Sequence, residues 1–186
     1  MQRTDTELVA GLDVIRQSPR DVGVVEMIVI RPETNQRTVL ERCEVSLSEG
    51  VQGDNWKRQI AADPDVQVTL MNARCISLLA GSRERWPLAG DQLYLDFDLS
   101  EEHLPVGSQL RIGTAILKLT AEPHLGCRKF TERFGLSATQ FVNSPDGRAL
   151  RLRGANARVV VAGRIQQGDA VSKLSASRDP DQSNTL

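Results

Sequence analysis

The chemistry of this chain is concentrated in Glu122-Pro123-His124-Leu125-Gly126-Cys127-Arg128-Lys129-Phe130. A soft nucleophilic sulfur follows a proline, a histidine and a glycine, and two cations follow it. Phe130, Phe134 and Gly135 predict a short helix with a stop, opening beside the thiol. A thiol at a helix N-terminus next to Lys and Arg is drawn toward the thiolate, the form that attacks electrophiles, carries sulfur and binds soft metals. The ordinary alternative is packing of Cys127 with Phe130 and Phe134 at helical spacing, as free cysteines commonly do. His124, three residues upstream, is close enough in a turn to exchange a proton with the sulfur or hydrogen-bond it. Its alternative is a loop histidine bonded to backbone. Arg128 as a planar fork and Lys129 as a point charge would lower the thiol pKa and pair with a bound anion, unless both simply face solvent.

The other two cysteines are plainer. Cys43 shares strand parity with Val39, Val45 and Leu47, and Cys75 sits among Ile76, Leu78 and Leu79, so both read as core. Three widely spaced cysteines and only two histidines, with no C-x-x-C and no H-E-x-x-H, argue against a structural zinc site or a disulfide framework. Net charge is −1 overall. It hides an excess of +5 between His124 and Arg158, where seven cations meet Glu132 and Asp146. Such an excess suits a small anionic ligand such as a phosphate or carboxylate, or else ordinary solvated surface. The cations lack interleaved aromatics or a recognised motif, so no nucleic-acid partner is expected. No apolar run approaches membrane-span length and no signal-peptide core is present, so a cytoplasmic protein without a membrane partner is expected.

The elements that must position Cys127 follow from periodicity. Thr4–Gln17 predicts an amphipathic helix, with Leu8, Leu12 and Ile15 on one face, Thr4 or Asp5 as cap and Pro19 beyond its end. Val22–Ile30, Thr38–Leu47, Val66–Met71 and Leu88–Asp98 predict strands, and Trp56–Ala62 a short helical turn. Ile76–Ala80 is apolar but too short to separate strand from helix. Gln109–Ile112 and Ala115–Ala121 form a hairpin candidate across Gly113-Thr114. Leu136–Asn143 predicts a helix, Ser144-Pro145-Asp146-Gly147 a turn, and Arg158–Ala162, Arg164-Ile165 and Ala170-Val171 closing strands. Short strands, frequent glycines and little β/α alternation give a mostly β fold with minor α: a closed or partly closed barrel with short peripheral helices. Asp54, Asn72, Arg74 and Asp91 fall at loops or strand ends, where a barrel mouth gathers polar groups, and are candidate cofactor-binding residues. Asp54 and Asp91 fit turn caps equally well.

The order of these pieces resembles the MOSC domain, the module at the C-terminus of molybdenum cofactor sulfurases and in small stand-alone proteins. Gly50-Val51-Gln52-Gly53-Asp54 resembles the family's early G-x-x-G-D loop, and Leu88-Ala89-Gly90-Asp91-Gln92-Leu93 its G-E/D-N-L block. Leu104-Pro105-Val106-Gly107-Ser108-Gln109-Leu110-Arg111-Ile112-Gly113, leading through a strand to Cys127, resembles its G-x-x-L-x-I-G stretch and characteristic cysteine. The resemblance runs from about Val22 to Lys173. It implies a MOSC-type barrel over 22–173, while the predicted helix makes 1–21 an N-terminal helical arm and polar composition makes 174–186 a disordered tail. It also implies that Cys127 handles sulfur, exchanging it with a donor or acceptor protein as a persulfide, or binds molybdenum cofactor as a metal ligand. A molybdenum-dependent small reductase or detoxifying enzyme, and a non-catalytic interaction module on the same barrel, are the alternatives. Pyridoxal phosphate is associated with the family alone. Familiar enzymatic members carry an arginine shortly before the cysteine, where this chain has His124. The larger N-terminal domain of pterin-binding enzyme relatives has no counterpart here, which points to a small stand-alone member.

Overall fold

The structure is a computed structural model and describes residues 2–58 and 62–175. Thr4 opens the first helix with a reciprocal cap, its side chain accepting from the Glu7 N–H while the Glu7 carboxylate accepts from the Thr4 N–H. The predicted single helix breaks at Gly11 into α1 (Asp5–Ala10) and α2 (Leu12–Arg16). Then follow β1 (Val22–Ile30), β2 (Thr38–Leu40), β3 (Arg42–Ser46), β4 (Gly50–Val51) and β5 (Val68–Asn72). After β5 come α3 (Ala73–Ala80), β6 (Leu93–Asp96), β7 (Gln109–Ile112) and β8 (Ala115–Leu119). The chain continues through α4 (Arg128–Phe134), α5 (Leu136–Asn143), α6 (Pro145–Ala149), β9 (Ala155–Val161), β10 (Gly163–Gln166) and β11 (Ala170–Lys173).

Seven strands close into a barrel in the order β11-β7-β8-β9-β5-β6-β1, and β1 pairs back onto β11 through Val22–Ser172 and Val24–Ala170. Closure leaves no unpaired edge in the barrel. β2 extends the far end of β1, and β10, β3 and β4 form a separate small sheet. The barrel pairings are antiparallel except β5–β6, with Leu70 opposite Leu93. A parallel pair needs a long crossover, supplied here by α3 and the 3₁₀ turn Arg83–Ala89. Helices and strands each take about 30% of the described residues.

The helices gather on one outer face, so β5 and β6 are covered on both sides. Leu70, Leu93, Leu95 and Phe97 fill the barrel. Met71 and Tyr94 point outward into a second core with Leu8, Ile76, Leu79, Phe130 and Phe134. This explains why all five residues of β5 are buried, a pattern ordinarily seen in covered parallel sheets.

Several expectations shift in register. The returning strand Thr38–Leu47 splits in two at Glu41. The strand expected from Leu88 starts only at Leu93, because Pro87 lies in the 3₁₀ turn and Gly90 turns the chain with φ +90°. Ile76–Ala80 is helical, since Asn72 caps its start by accepting from the Cys75 N–H at 3.0 Å. Ser144 likewise caps α6, with Pro145 at its first position, where a turn was expected. Of the turn expected over Trp56–Ala62, Trp56–Arg58 is a 3₁₀ turn and residues 59–61 lie outside the described residues, as does the expected tail beyond Ser175. Among the described residues no helix is long and apolar enough to cross a membrane.

Candidate active site at the start of helix α4

Cys127 is the N-cap residue of α4, extended at φ −106° and ψ 178°, and its side chain is exposed. Phe130 and Phe134 fix the helix below it, their rings 4.8 Å apart in the second core. Burying each is worth about 1.5–3 kcal/mol. The approach is fixed by Asn143 at the end of α5. Its Oδ1 accepts from the Gly126 N–H at 2.8 Å and its Nδ2 donates to the Gly126 carbonyl at 3.0 Å. A side chain on Gly126 would meet Val142 at 3.1 Å and Thr139 at 3.2 Å, so glycine lets the loop lie against α5.

Partial burial pushes the Cys127 thiol up, but the Phe130 and Lys129 N–H groups at the helix start, with Arg153, outweigh it and hold the thiol below its ordinary value. The cations flanking the cysteine in sequence are not the ones at work. Arg128 is 92% exposed and pairs with Glu132 at 3.1 Å, and Lys129 contributes its backbone N–H. The expectation that both side chains sensitise the thiol is therefore replaced by a backbone effect and a distant arginine.

That arginine is buried. Arg153 donates Nη1 to Asp91 Oδ2 at 2.7 Å and Oδ1 at 3.0 Å, and Nη2 to the Ala89 carbonyl at 3.0 Å. Its guanidinium carbon lies 4.9 Å from the centre of the Phe130 ring, and its Nε is buried without a partner. Burial pushes the fully enclosed Asp91 carboxyl up, but Arg153 and the His124 contact outweigh it and hold it far below the usual carboxylate range. Asp91 is thus an ion-pair anchor rather than a turn cap.

His124 does not hydrogen-bond the sulfur. Its Nε2 lies 2.7 Å from Asp91 Oδ1. Burial, then Arg153, keep its pKa below the ordinary value against the pull of Asp91, so the ring is neutral near pH 7. A carboxylate only accepts, so Nε2 carries the hydrogen and Nδ1 is the accepting nitrogen. His124 lines a cleft of about 260 Å³ together with Glu122, Arg148, Arg151, Arg153 and Asn156.

The remaining candidates lie elsewhere or are fully engaged. Asp54 is buried and takes a two-pronged contact from Arg31 at 2.9 and 3.0 Å plus the N–H groups of Arg31 and Trp56. Asn72 caps α3 and donates to Ser18 Oγ and the Phe97 carbonyl, both at 2.8 Å. Arg74 pairs with Asp96 at 2.7 Å and donates to the Val14 and Gln17 carbonyls. These three staple loops and helices together. Of the eight sequence candidates, Cys127, His124 and Asp91 are brought together, around Arg153 and Asn143, which sequence reasoning missed. The signal for Arg153 was Arg151-Leu152-Arg153-Gly154, but spacing alone does not tell which arginine turns inward.

The MOSC domain family model matches residues 85–172, a span that includes Asp91, His124, Cys127, Asn143 and Arg153. The chain carries a MOSC domain. Its fold is shared with solved structures. The YuaD protein from Bacillus subtilis superposes with a TM-score of 0.61 at 14% identity, over 81% of this chain and 94% of that one. YiiM from Escherichia coli gives 0.56 at 17% identity, over 84% of this chain and 72% of its own. At these identities the likeness is one of fold. A comparison with curated proteins found no match in sequence. The matched span begins at the turn leading into Gly90 and ends in the closing strand of the barrel, so the MOSC domain holds the whole thiol site.

Proposed function

We propose that this MOSC domain uses the Cys127 thiolate to hold the molybdenum cofactor, which the family is associated with. The observation that carries the reading is an exposed thiol at the N-cap position of a helix, held below its ordinary pKa by the backbone N–H groups of the helix start and by a buried arginine. The donor set fits that group. Among the described residues no three His, Cys, Asp or Glu side chains gather as metal ligands. A lone thiolate suits a metal that arrives with other sulfur and oxygen donors of its own, and soft sulfur suits molybdenum. When bound, such a cofactor supplies two-electron redox chemistry, the class of a small reductase. The protein's part is to present the sulfur deprotonated, to hold it through the Asn143–Gly126 clamp, and to keep His124 neutral with Nε2 bonded to Asp91, which leaves Nδ1 as a proton acceptor.

A second reading is favoured by the exposure of Cys127, which lets another protein reach it. The thiolate would attack the terminal sulfur of a donor persulfide, the donor's S–S bond would break, and the donor thiolate would leave. Sulfur is transferred with no net oxidation, and the reverse step delivers it to an acceptor protein.

Metal analysis and intact mass of the protein made in a molybdenum-cofactor-competent host test both readings. Molybdenum bound by the wild type and lost in Cys127→Ser is expected on the first. A reducible mass increase of one sulfur, absent in Cys127→Ser, is expected on the second. Neither signal in the wild type would overturn both and leave a barrel that serves as an interaction module.

A further inference from the structure

Beside the thiol site lies a group of positive charges with too few negative ones. Gly90 turns the chain into Asp91 at φ +90°, a conformation glycine adopts freely. The point where a Cβ would stand on Gly90 lies 3.8 Å from Arg37 Nη2 and 3.9 Å from Arg133 Nη1. Arg37 comes from the β1–β2 loop and Arg133 from the last turn of α4. Arg31 also reaches this turn, donating Nη1 to the Gly90 carbonyl at 3.0 Å, but its charge is answered by Asp54, as that of Arg153 is by Asp91.

Arg37 and Arg133 have no such answer. Among the described residues neither lies within ion-pair distance of a carboxylate. Arg37 donates Nη1 to the Gln36 carbonyl at 2.6 Å, and Arg133 donates Nη1 to the Leu88 carbonyl at 2.8 Å. Arg37 Nε is buried with no partner at all. An unpaired buried donor on a cation is costly, and two guanidinium groups this near one point add repulsion. Burial first, then Arg133 and Arg31, hold the Arg37 pKa below the usual guanidinium value, as expected in a positive field lacking a counter-ion. The missing partner is an acceptor with negative charge and several oxygen lone pairs.

We infer that the turn at Gly90 is the floor of an oxyanion subsite, clamped by Arg37 and Arg133, for a phosphoryl or carboxylate group on a small ligand. Planar guanidinium forks match both groups in geometry. A side chain at position 90 would start within 4 Å of both guanidinium groups, so the glycine keeps the subsite open as well as turning the chain. Because Gly90 adjoins Asp91, and Asp91 carries His124 and Arg153, the subsite borders the thiol site. It stands on charges independent of what Cys127 binds.

The test titrates the full chain with inorganic phosphate and, separately, acetate, at an ionic strength fixed with chloride, and reads heat by calorimetry. Saturable binding of one anion per chain is expected, weakened about tenfold in Arg37→Gln and in Arg133→Gln, the loss of one charge-assisted contact. Arg37→Lys, which keeps the charge but loses the fork, should fall between. Arg111→Gln on β7 and Cys127→Ser should bind as the wild type does, which separates failure of this subsite from failure of the thiol reading. Tighter phosphate assigns a phosphoryl ligand and tighter acetate a carboxylate. Absence of saturable binding, or equal affinity in all variants, would overturn the inference.

Discussion

Cys75 and Cys127 both sit at helix starts near Arg153, yet their thiols are pushed in opposite directions. Cys75 lies in the first turn of α3, its sulfur sealed in the second core and donating to the Leu152 carbonyl at 3.1 Å. Burial pushes that thiol up to about 12, although Arg153 pulls the other way. Cys127 is itself the cap, open to solvent, and the backbone N–H groups win. A helix terminus and a nearby cation therefore do not make a thiolate unless the sulfur also keeps access to water.

The sharpest way to break this contrast is alkylation with iodoacetamide at pH 7. Cys127 should react roughly a thousandfold faster than Cys75 or Cys43, because the latter two are pushed up to about 12 and their thiolate fraction falls in proportion. Peptide mass spectrometry over time gives the rates, and comparable labelling of all three would undo the comparison.

Arg153→Met should be next in size. It strands the buried Asp91 carboxylate, so about 3–5 kcal/mol of stability should be lost in denaturant melts, and the Cys127 titration should move up. A loss under about 1 kcal/mol would show that Asp91 is not the anchor described.

Asn143→Ala removes both bonds to Gly126, which should cost about 1–3 kcal/mol. A purely structural clamp would leave the thiol alone, so the deciding readout is the Cys127 titration followed by thiolate absorbance, expected to rise toward 9.0.

A smaller effect concerns pH. His124 and His103 have native pKa values below the ordinary 6.5, burial being the first cause for each. The unfolded chain then binds more protons as pH falls through 6.5, so stability present above that value is lost on acidification. Asp91, held below its ordinary 3.8, extends the loss in the same direction at lower pH. Urea midpoints from pH 8 to 5 should fall in the wild type and fall less in His124→Asn.

Arg128→Ala is expected to do least. Its side chain is almost fully exposed and meets only Glu132 one turn along, so neither stability nor the thiol titration should change measurably.

Legibility followed the range of the interactions. The bounds of β1, the β7–β8 hairpin and α5, and the stop of α4 at Gly135, were read closely because apolar period and glycine or proline breaks act over a few residues. Leu88–Asp98 misled because alternation in Leu93, Leu95 and Phe97 was extended back across Gly90 to Leu88. Ser144–Gly147 carries turn residues that are equally helix-start residues, and only the following chain decides between the two. At the site, Cys127 was legible from its place beside a helix start. Arg128 and Lys129 were over-read because sequence neighbours on a helix point to different sides.

By itself the sequence determined the strand-rich barrel, the helix that starts at Cys127 and the presence of surplus cations around it. These rest on side-chain periodicity and capping, which are local. Tertiary structure alone decided which cation meets the thiol, which thiols are sealed, and that His124 turns to Asp91 rather than to sulfur. Those outcomes depend on burial and on charge pairs formed between residues up to 62 positions apart, as Arg153 and Asp91 are. Solvent access and long-range pairing set protonation, and neither is written in the spacing of neighbouring residues.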